Sequence, residues 1–215
     1  MAHTTQPAHT GLAPRKRPSQ SRSAHTVDAI LDATARILVE RGYAGTSTNA
    51  VAERAGVSVG SLYQYFPNKD ALIAALHTRH IERMKAVIEA ALARAMDTNL
   101  DDGLAGLIEG AVEAHRVEAD LHRVLDQQMT GLGVVDAHDQ FDAVLEDRIV
   151  ALLQRHRDAI TVADLRLAAY MLNHSTHALI HTVVAQRPRG VTLAAAGAEI
   201  VRMMRAYLTA PADAS

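Results

Sequence analysis

The chain contains no cysteine and no tryptophan, only two phenylalanines and five tyrosines. Without thiols there are no disulfides, no thiolate metal sites and no cysteine nucleophile, and nothing points to an oxidising compartment. With so few rings, a pocket that grips large planar ligands by stacking is less expected than one for an aliphatic or mixed ligand. No segment approaches a membrane span without charges, and the first residues are polar, lacking the apolar stretch of a signal peptide. A cytoplasmic protein with no membrane partner is therefore expected. Strand-like alternation and internal repeats are missing as well. So are a Ser/His/Asp ordering, a paired-carboxylate motif, a phosphate loop and a His-Glu metal signature, which leaves no basis for an enzyme or a bound cofactor.

What remains is a 215-residue chain with 48% hydrophobic content, enough for one sizeable core or two linked ones. The net charge of -2 is unevenly spread. Through residue 70 there are 8 Lys and Arg against 5 Asp and Glu; after it, 14 against 19. The first part is thus +3 and the rest -5, and the positive part is where a nucleic-acid-reading motif lies.

That motif is the run from Gly42 to Leu72. Thr46, Ser47 and Thr48 offer hydroxyls to cap a helix over Asn49 to Ala55, with Ser47 the favoured cap. Gly56 supplies the positive φ of a tight turn. Ser58 is placed to cap a helix from Val59 to Phe66, in which Leu62 and Phe66 lie four apart and face the core. Val59, Gly60, Ser61, Tyr63, Gln64 and Tyr65 are left facing outward, a mixture of small, hydroxyl and amide groups suited to bases and phosphates. Two short helices about a tight turn make a helix-turn-helix, whose second helix enters the DNA major groove. Pro67 stops that helix, and Asn68 can cap the next, which runs to about Met96. Lys69 in its first turn opposes the helix dipole. It reads either as one solvated lysine among many or as a partner for negative charge.

Over residues 24–84 the order of these features resembles the N-terminal domain of the TetR family of bacterial transcriptional regulators. The features are a first helix from Val27 to Arg41 closed by Gly42-Tyr43, the hydroxyl cluster, Ala55-Gly-Val-Ser58, Leu62-Tyr63 with Tyr65-Phe66, then Asn68-Lys69 and Leu72. The resemblance implies an all-α homodimer: an N-terminal three-helix helix-turn-helix DNA-binding domain plus a C-terminal helical ligand-binding and dimerisation domain. On it, Thr46, Ser47, Tyr63, Tyr65 and Lys69 would meet phosphates of a palindromic double-stranded DNA operator, while Thr48, Val59, Gly60, Ser61 and Gln64 would approach base edges. The third helix carries no Arg or Lys for guanine. Gln64 is its one bidentate side chain, suited to adenine, so methyl contacts and DNA shape would share the discrimination.

The domains then read as a disordered basic arm at 1–23, the DNA-binding domain at 24–68, and an effector-binding and dimerisation domain at 69–210. Arg15-Lys16-Arg17 and Arg22 in the arm either track the operator or form a solubilising tail. Further helices are expected at about 101–117, 119–129, 137–157, 162–186 and 193–209. Thr161-Val-Ala-Asp164 is a capping-box pattern, and Gly131-Leu-Gly133 marks a loop. The last two helices are apolar on more sides than one monomer face requires, as a four-helix dimer interface would be.

Twelve histidines are the other feature of note. Tyr170, His174, His177 and His181 recur at helical spacing, and His115 and His122 lie seven apart. They are read as satisfied core or interface residues, as the polar lining of an effector pocket, or, for His174, His177 and His181, as a metal-responsive cluster. The pocket reading takes His115, His122, Met129, Phe141, Tyr170, His174 and His177 as contacts for a small-molecule effector, with no metal. Together these features point to a ligand-responsive regulator, a repressor released from its operator by the effector; the alternatives are a metal-responsive regulator or an activator without effector.

Overall fold

The computed structural model describes residues 21–132, 136–186 and 188–211, excepting the side chains of residues 21, 22, 117, 126, 129–132, 136–141 and 185. Among these residues all regular structure is helical. The elements are α1 (Ser21–Gly45), α2 (Thr48–Ala55), α3 (Val59–Tyr65), α4 (Lys69–Ala95), α5 (Leu100–Val117), α6 (Ala119–Leu132), α7 (Asp136–Arg155), a single 3-10 turn (Arg157–Ala159), α8 (Leu165–Gln186) and α9 (Leu193–Thr209). No helix among the described residues is long and apolar enough to cross a membrane.

The chain forms two compact units. The first comprises the described residues up to His80 with those of α6 from Val124; the second comprises Ile81–Arg123 and the chain from α7 onward. The division falls inside α4, between His80 and Ile81, and that helix supplies buried residues to both units.

In the first unit, α1 buries Ile30, Leu31, Ile37 and Leu38, one apolar stripe at helical spacing. Val51 and Ala52 of α2, Leu62 of α3, Phe66 just after it, and Leu72, Ile73 and Leu76 of α4 are also buried. The start and stop signals act as read from the sequence. Ser47 Oγ accepts the amide of Ala50, Gly56 adopts the left-handed conformation with φ 67° and closes α2, and Ser58 Oγ accepts the amide of Ser61. Asn68 Oδ1 takes the amide of Ala71 at 2.8 Å, opening α4. α1 is already helical at Ser21, where the described residues begin, which is earlier than Val27 and inside the stretch assigned to the arm. Ser21 to Thr26 lacks the apolar repeat that marks a helix in sequence, yet holds nothing that breaks one. At its other end the helix is interrupted at Gly42, at φ 66° and ψ -177°.

The core of the second unit is a continuous cluster running from Met84, Ile88 and Leu92 through Leu104, Ile108, Leu145, Ile149 and Leu153 to Leu172, Ile180, Ile200 and Leu208. Two local expectations are corrected. Thr161 does not cap α8: its amide and hydroxyl both bond the Leu208 carbonyl, tying the loop to the end of α9. Asp164 is the cap, its Oδ1 accepting the amides of Arg166 and Leu167 at 3.0 Å each. A capping box needs the helix to begin one residue after Thr161, and α8 starts at Leu165. Gly131 and Leu132 belong to α6 rather than to a loop, while Gly133 lies outside the described residues.

Candidate functional site

The outward face of α3 is the first candidate. With Leu62 and Phe66 buried, helical geometry turns Val59, Gly60, Tyr63 and Gln64 to solvent, with Ser61 and Tyr65 half-buried. Ser58 and Ser61 share a hydroxyl–hydroxyl bond of 2.8 Å at its start. Tyr63 is held by a 3.1 Å bond between its hydroxyl and Thr48 Oγ1, which joins the first turn of α2 to α3. Ser47 is exposed beside it.

Thr46 departs from the expectation. It is 2% exposed, its amide bonds the Tyr43 carbonyl, and its hydroxyl donates to the Gly42 carbonyl at 2.8 Å. The break at Gly42 turns this hydroxyl inward, where it closes the bend before α2 instead of meeting a phosphate. Lys69 also has a local partner: its ammonium lies 3.6 Å from the centroid of the Tyr43 ring and donates to the Tyr43 carbonyl at 3.1 Å. Cation–π attraction and this bond offset the unfavourable helix dipole. The Tyr43 hydroxyl donates to Asp70 Oδ1 at 2.6 Å. That bond, reinforced by burial and by the carboxylate charge, holds the phenol above its ordinary pKa. Arg54 makes a two-pronged contact with Glu40 at 2.6 and 2.7 Å, which holds the Glu40 carboxyl below its usual range. Both cations between residues 46 and 70 are thus engaged with the scaffold, and the α3 face itself is uncharged. Arg15, Lys16 and Arg17, with the side chain of Arg22, lie outside the described residues.

The second candidate is a cavity of about 80 Å³ wholly within the second unit. Its apolar wall comes from Ile81, Met84 and Ile88 of α4, Leu104, Leu107, Ile108 and Ala111 of α5, Leu145 and Ile149 of α7, and Leu172 of α8. Its polar groups are His115, Asp142, Asn173, Thr176 and His177. Asn173 Nδ2 donates to Asp142 Oδ1 at 3.1 Å, and the rings of His115 and His177 lie 5.7 Å apart.

Of the expected pocket residues, His115 and His177 line this cavity. His122 is buried behind His115, edge-on at 4.9 Å, and does not reach the lining. His174 bonds Glu146 of α7 at 3.1 Å, and Tyr170, 50% exposed, rests its ring 4.3 Å from His174; neither lines the cavity. The side chains of Met129 and Phe141 lie outside the described residues. The histidine stripe is therefore split. His174 turns to α7, while His177 and His181 join His115 and His122 in a closed ring of four imidazoles, neighbouring centroids 4.9 to 5.9 Å apart. Positions 174 and 181 lie only about 20° apart around a helix of 3.6 residues per turn, so the split comes from what packs against each turn, Glu146 beside His174 and His122 beside His181. Among the described residues no group of three or more His, Asp or Glu is placed to hold a metal ion, which counts against the metal-responsive alternative. Sequence reading missed Asp142, Asn173 and Thr176. A polar Asn173 and Thr176 amid Leu172, Ala169 and Ile180 was the available sign; the partnership with Asp142 was not visible.

Two family models match the chain. One, described as bacterial regulatory proteins, tetR family, covers residues 30–76, and the other, the tetracyclin repressor-like C-terminal domain, covers 99–208. The HTH-type transcriptional repressor KstR of Mycolicibacterium smegmatis is 49% identical over 62 residues, 29% of this chain and 30% of that protein. The HTH-type transcriptional activator FasR of the same organism is 35% identical over 68 residues, 32% of this chain and 31% of that one. These matches span about a third of each relative's length. A solved putative TetR-family transcriptional regulator from Mesorhizobium loti superposes with a TM-score of 0.69 at 21% identity, covering 87% of this chain and 97% of that one. The C-terminal match alone spans half of the chain, and with the N-terminal match it shows that the protein belongs to the TetR family of bacterial regulatory proteins.

Proposed function

We propose that the protein is a ligand-responsive transcriptional repressor that binds a palindromic operator as a homodimer in the cytoplasm and releases it when a small molecule occupies the cavity of the second unit. The observation that carries this reading is the α3 face: a short helix capped at its start, anchored through Leu62 and Phe66, with Gln64 and the Thr48-braced Tyr63 turned outward. A helix so mounted fits the major groove. Thr48, Val59, Gly60, Ser61 and Gln64 approach base edges, and Ser47, Tyr63, Tyr65 and Lys69 the backbone; Lys69 does so by leaving the Tyr43 ring. With no cation on α3, each subunit neutralises few phosphates, so tight binding requires two subunits and weakens with salt.

Dimerisation is supported by the second unit, where α8 exposes Leu167, Tyr170, Met171 and Leu179 and α9 exposes Met203 and Tyr207. Large apolar side chains left exposed in such number on two helices fit a face covered by a second copy. The effector reading is supported by the cavity's apolar wall and its few placed polar groups. Release requires an effector with unequal affinity for the two states of the dimer. KstR is named a repressor and FasR an activator, and the sign of regulation depends on where the operator lies.

Selection of bound DNA from a random pool tests the reading. A palindrome should emerge, its specificity relaxing at adenine positions with Gln64→Ala by about 1–3 kcal/mol, while Tyr63→Phe lowers affinity uniformly. Failure to enrich any sequence, or enrichment unchanged by Gln64→Ala, refutes the assignment of α3.

A further inference from the structure

The chemical class of the effector can be taken further from the lining, on the reading that this cavity is the effector site. Along α5, the lining passes from Leu104 through Leu107, Ile108 and Ala111 to His115, three turns away or roughly 16 Å at 1.5 Å per residue. Along α7 it runs in the opposite chemical sense, from Asp142 to Leu145 and Ile149. The polar ends meet on α8. Asn173 bonds Asp142, and His177, one turn on, lies against His115. The cavity therefore has an apolar body and a polar head region made by Asp142, Asn173, Thr176, His177 and His115.

The head region is defined as much by its charge as by its polarity. Among the described residues the lining contains no Lys and no Arg, and its one acid is Asp142. A carboxylate has two oxygens with several lone pairs, and Asn173 Nδ2 takes only one of those sites. A ligand that donates a hydrogen bond to Asp142 completes it. A ligand bearing a carboxylate or phosphate meets a like charge with no guanidinium or ammonium to answer it, in surroundings drier than water. We infer that the cavity selects amphipathic molecules with an aliphatic body and a hydrogen-bond-donating, non-anionic head, an alcohol or an amine, and rejects the corresponding acids.

Three probes of equal chain length test this: octan-1-ol, octylamine and octanoate, titrated calorimetrically into the full-length protein at pH 8, above the ordinary imidazole range. Octylamine is cationic there and octanol neutral, so the two separate charge from hydrogen bonding. Both should bind at least ten-fold tighter than octanoate. Asp142→Asn, which keeps the acceptor for Asn173, should weaken octylamine by a similar factor and bring octanoate to within three-fold of octanol. Octanoate binding the wild-type protein as tightly as octanol or octylamine overturns the inference without any variant, and so does an unchanged ranking in Asp142→Asn. If none of the three binds, the inference falls together with the assignment of the cavity. If the ranking holds but operator affinity is unmoved by saturating octanol or octylamine, the inference about the cavity stands and the repressor-release reading falls.

Discussion

Two glycines four residues apart in α5, Gly106 and Gly110, should respond to the same substitution with opposite signs. A β-carbon built on Gly110 lies 2.3 Å from the β-carbon of Ala91 and 3.8 Å from its α-carbon. Carbon atoms prefer about 3.5–4.0 Å, so Gly110→Ala must push α4 and α5 apart by more than an ångström. Removing a helical glycine contributes about 1 kcal/mol, but overpacking at such a crossing costs about 1–3 kcal/mol. The expected net result is a loss of up to about 2 kcal/mol, with Tm falling roughly 2–4 °C per kcal/mol for a chain of this size. Nothing lies within 4 Å of a β-carbon at Gly106, so Gly106→Ala should stabilise by about 0.5–1 kcal/mol. Ala91→Gly removes the obstructing methyl, and combined with Gly110→Ala it should show a favourable coupling above about 1 kcal/mol. Urea and thermal melts at one fixed protein concentration read all four variants. Stabilisation by Gly110→Ala, or a double mutant that is simply additive, refutes the close approach of the two helices. Because Ala111 and Ile88 line the cavity, Gly110→Ala should also alter ligand affinity while Gly106→Ala leaves it unchanged.

Other outcomes follow from individual contacts. Asp164→Ala should cost about 1 kcal/mol by uncapping α8, whereas Thr161→Val should leave the start of that helix intact and loosen the end of α9; amide hydrogen exchange distinguishes the two. Tyr43→Phe should cost about 1 kcal/mol, a bond to a charged partner discounted for partial exposure. The phenol is shifted upward in the folded state, so its contribution is fully present below the unfolded tyrosine pKa of about 10 and is lost as pH rises through the higher folded value. Denaturation curves of wild type and Tyr43→Phe should therefore converge in that alkaline window; a difference that persists above it argues against the Asp70 bond as the cause. Leu62→Ala should cost about 2–5 kcal/mol and abolish DNA binding through loss of α3, while Gln64→Ala should stay within about 0.5 kcal/mol of wild-type stability.

How legible the molecule was varied with the kind of information involved. Caps and stops are local chemistry between residues two to four apart, and Ser47, Gly56, Ser58 and Asn68 act as their positions indicate. The bounds of α9 coincide with those expected from periodicity, and those of α5 and α7 fall within two residues at each end. Errors arose where two local signals competed, as at Thr161 and Asp164, or where a hydroxyl's direction depended on a break in the preceding helix, as for Thr46 after Gly42.

The sequence by itself determined that the chain is helical, which side chains of the short third helix turn outward, and which family the chain belongs to, because helical periodicity, capping and motif order are all written within a few residues. Tertiary structure alone decided that Lys69 rests on Tyr43, that His174 leaves its stripe for Glu146 while His177 and His181 meet His115 and His122, and that Asp142 and Asn173 share the polar end of a cavity. Those pairings join side chains 26 to 62 positions apart. A helix face specifies what must be covered, but which residue covers it depends on how separate helices pack, and several arrangements satisfy the same periodicity.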